Sequence, residues 1–571
     1  MASLNEKLAG SLSNLRELSK NGDRRVFKLA ELGRADRERL SEAGFLSEII
    51  RGWVMMVRPG EKPGDTTSWY SSFWQFCRAY LDDRFDKNWV VSPEASIVLH
   101  AENLNVPPQV VVHSPAANNQ RLDLLHNNSL YLLRVPKLPT STVEVAGMRA
   151  FSQADALCLA SPTFWQNNKN DVIALLGSIR GTTTILNVLL AGGYVLAAGR
   201  LAGAYRLLGN ARAADEIVAT MKRAGHEVRE DADPFKSPMT TQLSVTRPVS
   251  PIATRVKLMW AEMRDKVLQN FDVEPRRIND RDGYLASIDD RYTSDAYHSL
   301  SIEGYTVTEQ LIEKVRQGSW NPDGDADDRQ QRDALAAKGY WDAFQQVRAA
   351  VARILDAESA EEVVEREHLN WYRALFQPSL AVGIVKPENM AGYRQHFLHI
   401  RGSRHTPVNW ETVPDAMESF FECLNAEQDP RVRAILGHFV FTFIHPLPDG
   451  NGRTGRFIMN SMLASAGIPW TIVPVDRRDE YMRALEDASG GLDIVPFTKL
   501  VVDCTKHEPP PPRRSKPGET LAEVDLNVPI PRSSRAPYRV DGAQGSEMIA
   551  RGVPSILRAA FRLDRAQFRM V

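Results

Sequence analysis

One stretch limits what this chain can fold into more than any other: ILGHFVFTFIHPLPDGNGRTGRFIMNSMLASAG, residues Ile435 to Gly467. Before it and into it, Val432, Ile435, Leu436, Phe439, Val440, Phe443 and Ile444 recur at the spacing of one helix face, which predicts a buried helix. Two prolines and two glycines in HPLPDGNG then forbid its continuation, and a second helix is expected to open near Arg453. Gly450, Gly452 and Gly455 formally satisfy the GxGxxG pattern of dinucleotide folds, and Asp476 stands where a ribose-binding acid would. That fold needs a strand before the glycines, and the lead-in here has helical period, which decides against it.

A helix opening behind a glycine loop suits an anion. Gly450 and Gly452 let the backbone come close to a ligand, and the unpaired amides and dipole of the second helix attract negative charge. Arg453 and Arg456 lie three apart in its first turn. Two cations at a helix N-terminus oppose the dipole, so a polyphosphate clamped by their forked donors explains them better than stability does. Asp449 offers a hard oxygen to Mg²⁺, which keeps waters and bridges to phosphates. His445 is the one group here with an ordinary pKa, about 6.5, suited to taking a proton near neutrality.

As a block, HPLPDGNGRTGR resembles the signature of the Fic (filamentation induced by cAMP) family, HPFx[DE]GNGRxxR, with Leu447 in place of the phenylalanine. Leucine there is expected to pack beneath the loop. The resemblance extends over roughly residues 285–505. It implies a mainly α-helical fold with a small β-hairpin flap, in which Gly392 to Phe420 supplies the flap and a hairpin near His399 to His405 aligns a target by strand addition. His396 and His399 are then structural or target-facing. The implied activity is transfer of AMP from ATP to a Tyr, Thr or Ser hydroxyl of a protein, this one included, with release of pyrophosphate. His445 would be the base, Asp449 the Mg²⁺ ligand, and Gly450, Asn451, Gly452, Arg453 and Arg456 the nucleotide cradle. Members acting as kinases resemble a motif with lysine at position 452, so Gly452 favours nucleotidyl transfer.

Upstream, Ser299-x-x-x-Glu303-Gly304 sets Ser299 and Glu303 on one helix face, with Gly304 able to end that helix. It resembles the family's inhibitory motif [ST]xxxE[GN], placing an inhibitory helix near residues 293–304. By that resemblance Glu303 competes with the ATP γ-phosphate for Arg456. Removal of AMP, with Glu303 positioning water, is a second enzymatic reading.

The remainder divides at proline-rich breaks. Asp231 to Pro251 separates residues 1–240 from a Fic region at 241–506, and EPPPPRRSKPGE opens a flexible Pro/Arg-rich tail, 507–571. In the first part, GRADRERLSEAGF reads as a helix stopped by Gly44, followed by two apolar runs flanking Arg51-Gly52 as in a hairpin. This α+β winged-helix pattern resembles AbiEi-type antitoxins over roughly residues 20–225. The resemblance implies a DNA-binding regulator with a Fic sensor, Arg34, Arg37 and Arg39 facing phosphates. The charge opposes it: 70 Lys and Arg against 71 Asp and Glu leave a net −1, and those arginines interleave with Asp36, Glu38 and Glu42 as on a solvated face. Four scattered cysteines exclude a disulfide scaffold and point to the cytoplasm. Gly181 to Gly199 carries no charge, yet its threonines and glycine pair favour a buried helix over a membrane span.

Overall fold

The computed structural model describes residues 4–19, 24–59, 65–236, 249–318, 328–507 and 509. The expected tail, and most of both proline-rich breaks, lie outside the described residues.

The first part is α+β. Strands β1 (Val26–Lys28), β2 (Leu46–Ile50) and β3 (Trp53–Met56) form an antiparallel sheet in the order β1-β3-β2. Helix Arg34–Glu42 precedes the β2–β3 hairpin. Gly44 and Gly52 take φ of 73° and 90°, conformations that cost glycine little, so the helix stop and the hairpin both fall where the sequence places them. A second sheet, from β4 (Val90–Val91), β5 (Gln109–Ser114), β6 (Gln120–Asp123) and β7 (Ser129–Arg134), has the order β4-β5-β7-β6 with β5 and β7 parallel. Helix Thr67–Phe85 packs Trp69, Phe73 and Phe76 against side chains of both sheets in one aromatic core. A two-stranded ribbon, β8 (Val143–Val145) with β9 (Met148–Ala150), completes the β structure.

Helices follow from Gln153 to Arg223. The uncharged stretch is not one helix: Thr183–Gly192 and Val195–Leu207 flank Gly193, left-handed at φ 60°, and Ile185, Leu189, Ala198 and Leu201 are buried. Among the described residues no single helix is long and apolar enough to cross a membrane.

The second part is helical. Helix Pro251–Asn270 carries Leu258 into the first part's core and Met259 and Met263 into the second's. Its Arg255 lies 3.4 Å from Asp171 of the first part, a carboxylate that also accepts from Asn103. The two cores are therefore joined by a polar contact as well as an apolar one. Helices Arg281–Ile302, Asp328–Leu355, Ala360–Ala381, Pro430–Ile444 and Asn451–Ser465 enclose a core holding Ile288, Tyr340, Trp371, Phe439, Phe457 and Met462. The last two of these helices are joined by the HPLPDG loop, on which the site is built.

Candidate active site

A helix ends with four carbonyls that lack intrahelical donors, and the end of Pro430–Ile444 shows where three of them, of Phe441, Thr442 and Phe443, go. His445 caps it in the left-handed region, φ 54° and ψ 56°, uncommon for a residue with a Cβ. Its amide donates to Phe441 O at 3.0 Å, and its ring Nδ1 donates to Thr442 O at 3.2 Å. Phe443 O has no amide available from Leu447, which donates to Asn451 Oδ1 at 2.9 Å; instead it accepts from His405 Nε2 at 2.8 Å. Beyond the helix, Arg394 Nε donates to His445 O and Arg394 N to Pro446 O, both at 2.8 Å. The strained turn is thus held from outside by two flap residues.

The Nδ1 contact settles the chemistry of His445. With the proton on Nδ1, Nε2 carries the lone pair. Burial pushes the pKa down to about 4, against the opposing effect of the Thr442 carbonyl, so the ring is neutral near pH 7 and able to accept a proton.

The second helix, Asn451–Ser465, opens behind Gly450 at φ 75°. A Cβ at 450 would lie 2.9 Å from the Phe376 ring, so glycine is required twice over. Thr454 N donates to Gly450 O at 2.9 Å, and the three amides before it, at the start of the helix, lack an intrahelical acceptor, an arrangement suited to an anion. Arg453 is buried, its guanidinium 4.9 Å from the Phe376 ring centre and 5.3 Å from that of Tyr305. Its Nε is buried with no hydrogen-bond partner, a donor suited to an anion. Asp449 projects from the loop with its side chain 64% exposed and one oxygen 3.6 Å from Arg453. Among the described residues no group of three or more His, Cys, Asp or Glu side chains is placed to hold a metal. A single exposed carboxylate beside an anion site fits Mg²⁺, which takes its other ligands from water and phosphate.

Arg456, one turn on, is buried and occupied. Nε donates to Ser299 Oγ at 2.9 Å, Nη2 to Ser299 O at 3.1 Å and to Glu303 Oε1 at 2.8 Å, and Nη1 lies 3.4 Å from the Tyr481 hydroxyl. Burial alone would raise the Glu303 pKa, but Arg456 and Arg453 outweigh it and hold the carboxyl below its usual range. Helix Arg281–Ile302 ends at Glu303, with Gly304 at φ 87°. Glu303, His445 and Gly452 border one cleft of about 840 Å³, with Arg401 and Asp65 at its rim.

Residues 363–463 match the model of the Fic/DOC family. The chain carries a Fic domain. Over 219 residues it is 31% identical to "Protein adenylyltransferase Fic" of Drosophila grimshawi and 29% identical to the protein of that name from Drosophila melanogaster, covering 38% of this chain and 41% of each relative. The chain thus spans about two fifths of the length of these curated relatives. Among solved structures, Fic-1 (aa134 - 508) from C. elegans aligns with TM-score 0.32 and 18% identity, over 62% of this chain and 88% of that one. A Fic domain containing signaling protein from Bacteroides thetaiotaomicron aligns with TM-score 0.31 and 16% identity, over 44% and 93%.

The Fic domain brings His445, Asp449, Gly450, Gly452, Arg453, Arg456, Ser299 and Glu303 together, although Ser299 and Glu303 precede the matched segment. Leu447 is fully buried beneath the loop, as the sequence predicts. Asn451 differs from expectation. Its side chain accepts from Leu447 N and donates to Leu447 O, both at 2.9 Å, so it braces the loop while keeping its backbone amide and the second Nδ2 hydrogen for an anion. The flap differs as well. No strand is assigned between Ala381 and Val413; Ser403 N donates to Ile400 O across a turn with Gly402 at φ 73°, and the expected hairpin is present only as that turn. In the first part, Arg34 pairs with Glu38, and Arg39 with Asp36 and Ser11. Arg394 and His405 carry the end of the helix that leads into the loop, and neither has a local period or spacing that marks it.

Proposed function

We propose that the protein transfers AMP from ATP to a hydroxyl side chain of a protein, releases pyrophosphate, and is restrained by Glu303. The carrying observation is the His445 ring, its Nδ1 proton committed to Thr442 O and its Nε2 lone pair left for catalysis. Nε2 takes the hydroxyl proton as the oxygen bonds to the α-phosphorus, and the bond from that phosphorus to the bridging oxygen of the β-phosphate breaks. Amides at the start of helix Asn451–Ser465 and the buried Arg453 stabilise the charge that develops on the phosphate oxygens. Asp449 is the residue that would hold Mg²⁺, which supplies charge neutralisation on the polyphosphate. Arg456 is the donor for the γ-phosphate, and Glu303 occupies it. The names of the relatives, protein adenylyltransferase, support the same chemistry.

The test uses full-length wild type, Glu303→Gly and Glu303→Gly/His445→Ala with Mg²⁺ and ATP labelled separately at the α- and γ-positions. Label from the α-position alone, stronger in Glu303→Gly and absent without His445, is expected. Label from the γ-position means a kinase, and no label from any folded variant removes the reading. AMP removal is the second reading, favoured by the Glu303 carboxylate bordering the same cleft as His445; it requires that Glu303→Gly lose the ability to release bound AMP.

A further inference from the structure

The flap is gripped from the first part of the chain. Gly402 N donates to Thr67 Oγ1 at 2.9 Å, and Thr67 is itself fixed through its amide and hydroxyl to Asp65 Oδ1. The other oxygen of Asp65 lies 3.4 Å from Arg401 Nε. Val106 N donates to Arg404 O at 3.3 Å, and Tyr70 OH accepts from Arg404 Nε at 3.2 Å. Asn105 is the centre of the arrangement. Its Oδ1 accepts from Thr406 N at 3.2 Å and lies 2.9 Å from His405 Nδ1, while its Nδ2 donates to Ser489 O at 3.4 Å.

His405 transmits this grip to the chemistry. The ring is buried, stacks on Phe443 at 4.3 Å between centroids, and holds Phe443 O through Nε2. Phe443 is two residues before His445, in the last turn of the catalytic helix. Phe443 O would otherwise be an orphan carbonyl, because the Leu447 amide is committed to Asn451.

We propose that Asn105 is a positioning residue for the catalytic base: the first part of the chain clasps flap residues 401–406 and, through His405, fixes the helix end that presents His445. The clasp also occupies the Gly402 amide, the Arg404 carbonyl and the Thr406 amide that strand addition would use, while the Arg404 and His405 amides donate to Glu486 Oε1 and Ser403 Oγ. The target therefore enters against a fixed wall. This inference rests on the AMP-transfer reading for its activity readout and stands apart from it in the exchange readout.

The experiment takes full-length Glu303→Gly as parent and adds Asn105→Ala, Asn105→Asp or Thr67→Val. Asn105→Asp keeps the oxygen that accepts from Thr406 N and gives up only the long Nδ2 bond to Ser489 O. Thr67→Val loosens the far end of the clasp and serves as the second variant if Asn105→Ala does not fold. Two quantities are read: the rate of α-label transfer against ATP concentration, and backbone hydrogen exchange in segments 399–409 and 441–447.

Loss of one hydrogen-bonded link is expected to speed exchange about tenfold in both segments of Asn105→Ala. Displacement of the base is expected to lower the rate at saturating ATP about tenfold, with the half-saturating ATP concentration unchanged and Asn105→Asp restoring both readouts. Unchanged exchange, faster exchange in the flap alone, or faster exchange in both segments with an unchanged rate overturns the proposal. Should the parent transfer no label, the AMP-transfer reading fails, and exchange in the two segments alone decides the clasp.

Discussion

A methyl group on Gly452 would stand 2.4 Å from Glu303 Oε1 and 3.2 Å from Arg456 Nη1. Residue 452 has a helical backbone, so the need for glycine here comes from the carboxylate that crosses over it and not from a turn. Gly452→Ala is therefore expected to push Glu303 off Arg456. A hydrogen bond to a charged group contributes about 1.5–3 kcal/mol, or roughly tenfold or more in occupancy. The activation produced by Glu303→Gly should shrink by about that factor in the Gly452→Ala background, because the two changes act on one contact. A double-mutant cycle on α-label transfer measures it, and equal activation in both backgrounds rejects the coupling.

The acid limb of the pH profile should lie low. His445 must be neutral to act as base, and burial holds its pKa at about 4, against an ordinary value of about 6.5. A depressed pKa means the neutral form, and the stability linked to it, is intact above the ordinary value and lost as pH falls through the folded one. kcat/KM for ATP, which reports the free enzyme, is accordingly expected to show no acid loss near pH 6.5 and to fall only as pH approaches about 4. Removing Glu303 takes away a carboxylate that raises the His445 pKa, so the limb of Glu303→Gly moves lower still. A half-loss near pH 6.5 in that variant would contradict this account.

The helix–loop–helix was legible because it is local: apolar residues at helical spacing, then Pro446, Pro448, Gly450 and Gly452 in sequence. The Gly52 hairpin was legible for the same reason, since it is set by one residue's backbone freedom, whereas the Gly193 break divides a stretch that reads as one buried helix. The flap was not. Its shape is imposed by Thr67 and Asn105, 335 and 300 residues away from their flap partners in the chain, and by an arginine that bonds backbone carbonyls, which any sequence has. The bracing role of Asn451 was not legible because a motif gives the residue without its direction. Two hydrogen bonds to Leu447 were open to it, and those are the ones it makes.

Those two bonds carry their own prediction. Asn451→Ala leaves the buried Leu447 amide and carbonyl without partners, and an unsatisfied buried group costs about 1–3 kcal/mol. Thermal unfolding should therefore shift down by several degrees, roughly 2–4 °C per kcal/mol for a domain of this size. Transfer should fall because the loop loses its closure. An unchanged Tm with transfer lost would instead assign Asn451 to the nucleotide.

Arg394 offers the sharpest separation of positioning from binding. It is buried, and its donors all go to backbone carbonyls: Nε to His445, Nη1 to His396 at 3.0 Å, and Nη2 to Val408. Burial pushes its pKa down to about 10, still well above neutrality, so the group stays cationic and rigid. Lysine keeps the charge but is a single point on a flexible stem, unable to span three carbonyls in fixed directions. Arg394→Lys in the Glu303→Gly parent should lower the saturated rate by about ten- to a hundredfold, since small displacements of a reacting group are costly. The cradle of Gly450, Arg453 and Arg456 makes no contact with Arg394 among these hydrogen bonds, so ATP affinity measured by calorimetry should hold. A matched loss of affinity and rate would show that Arg394 supports the whole loop and not the base.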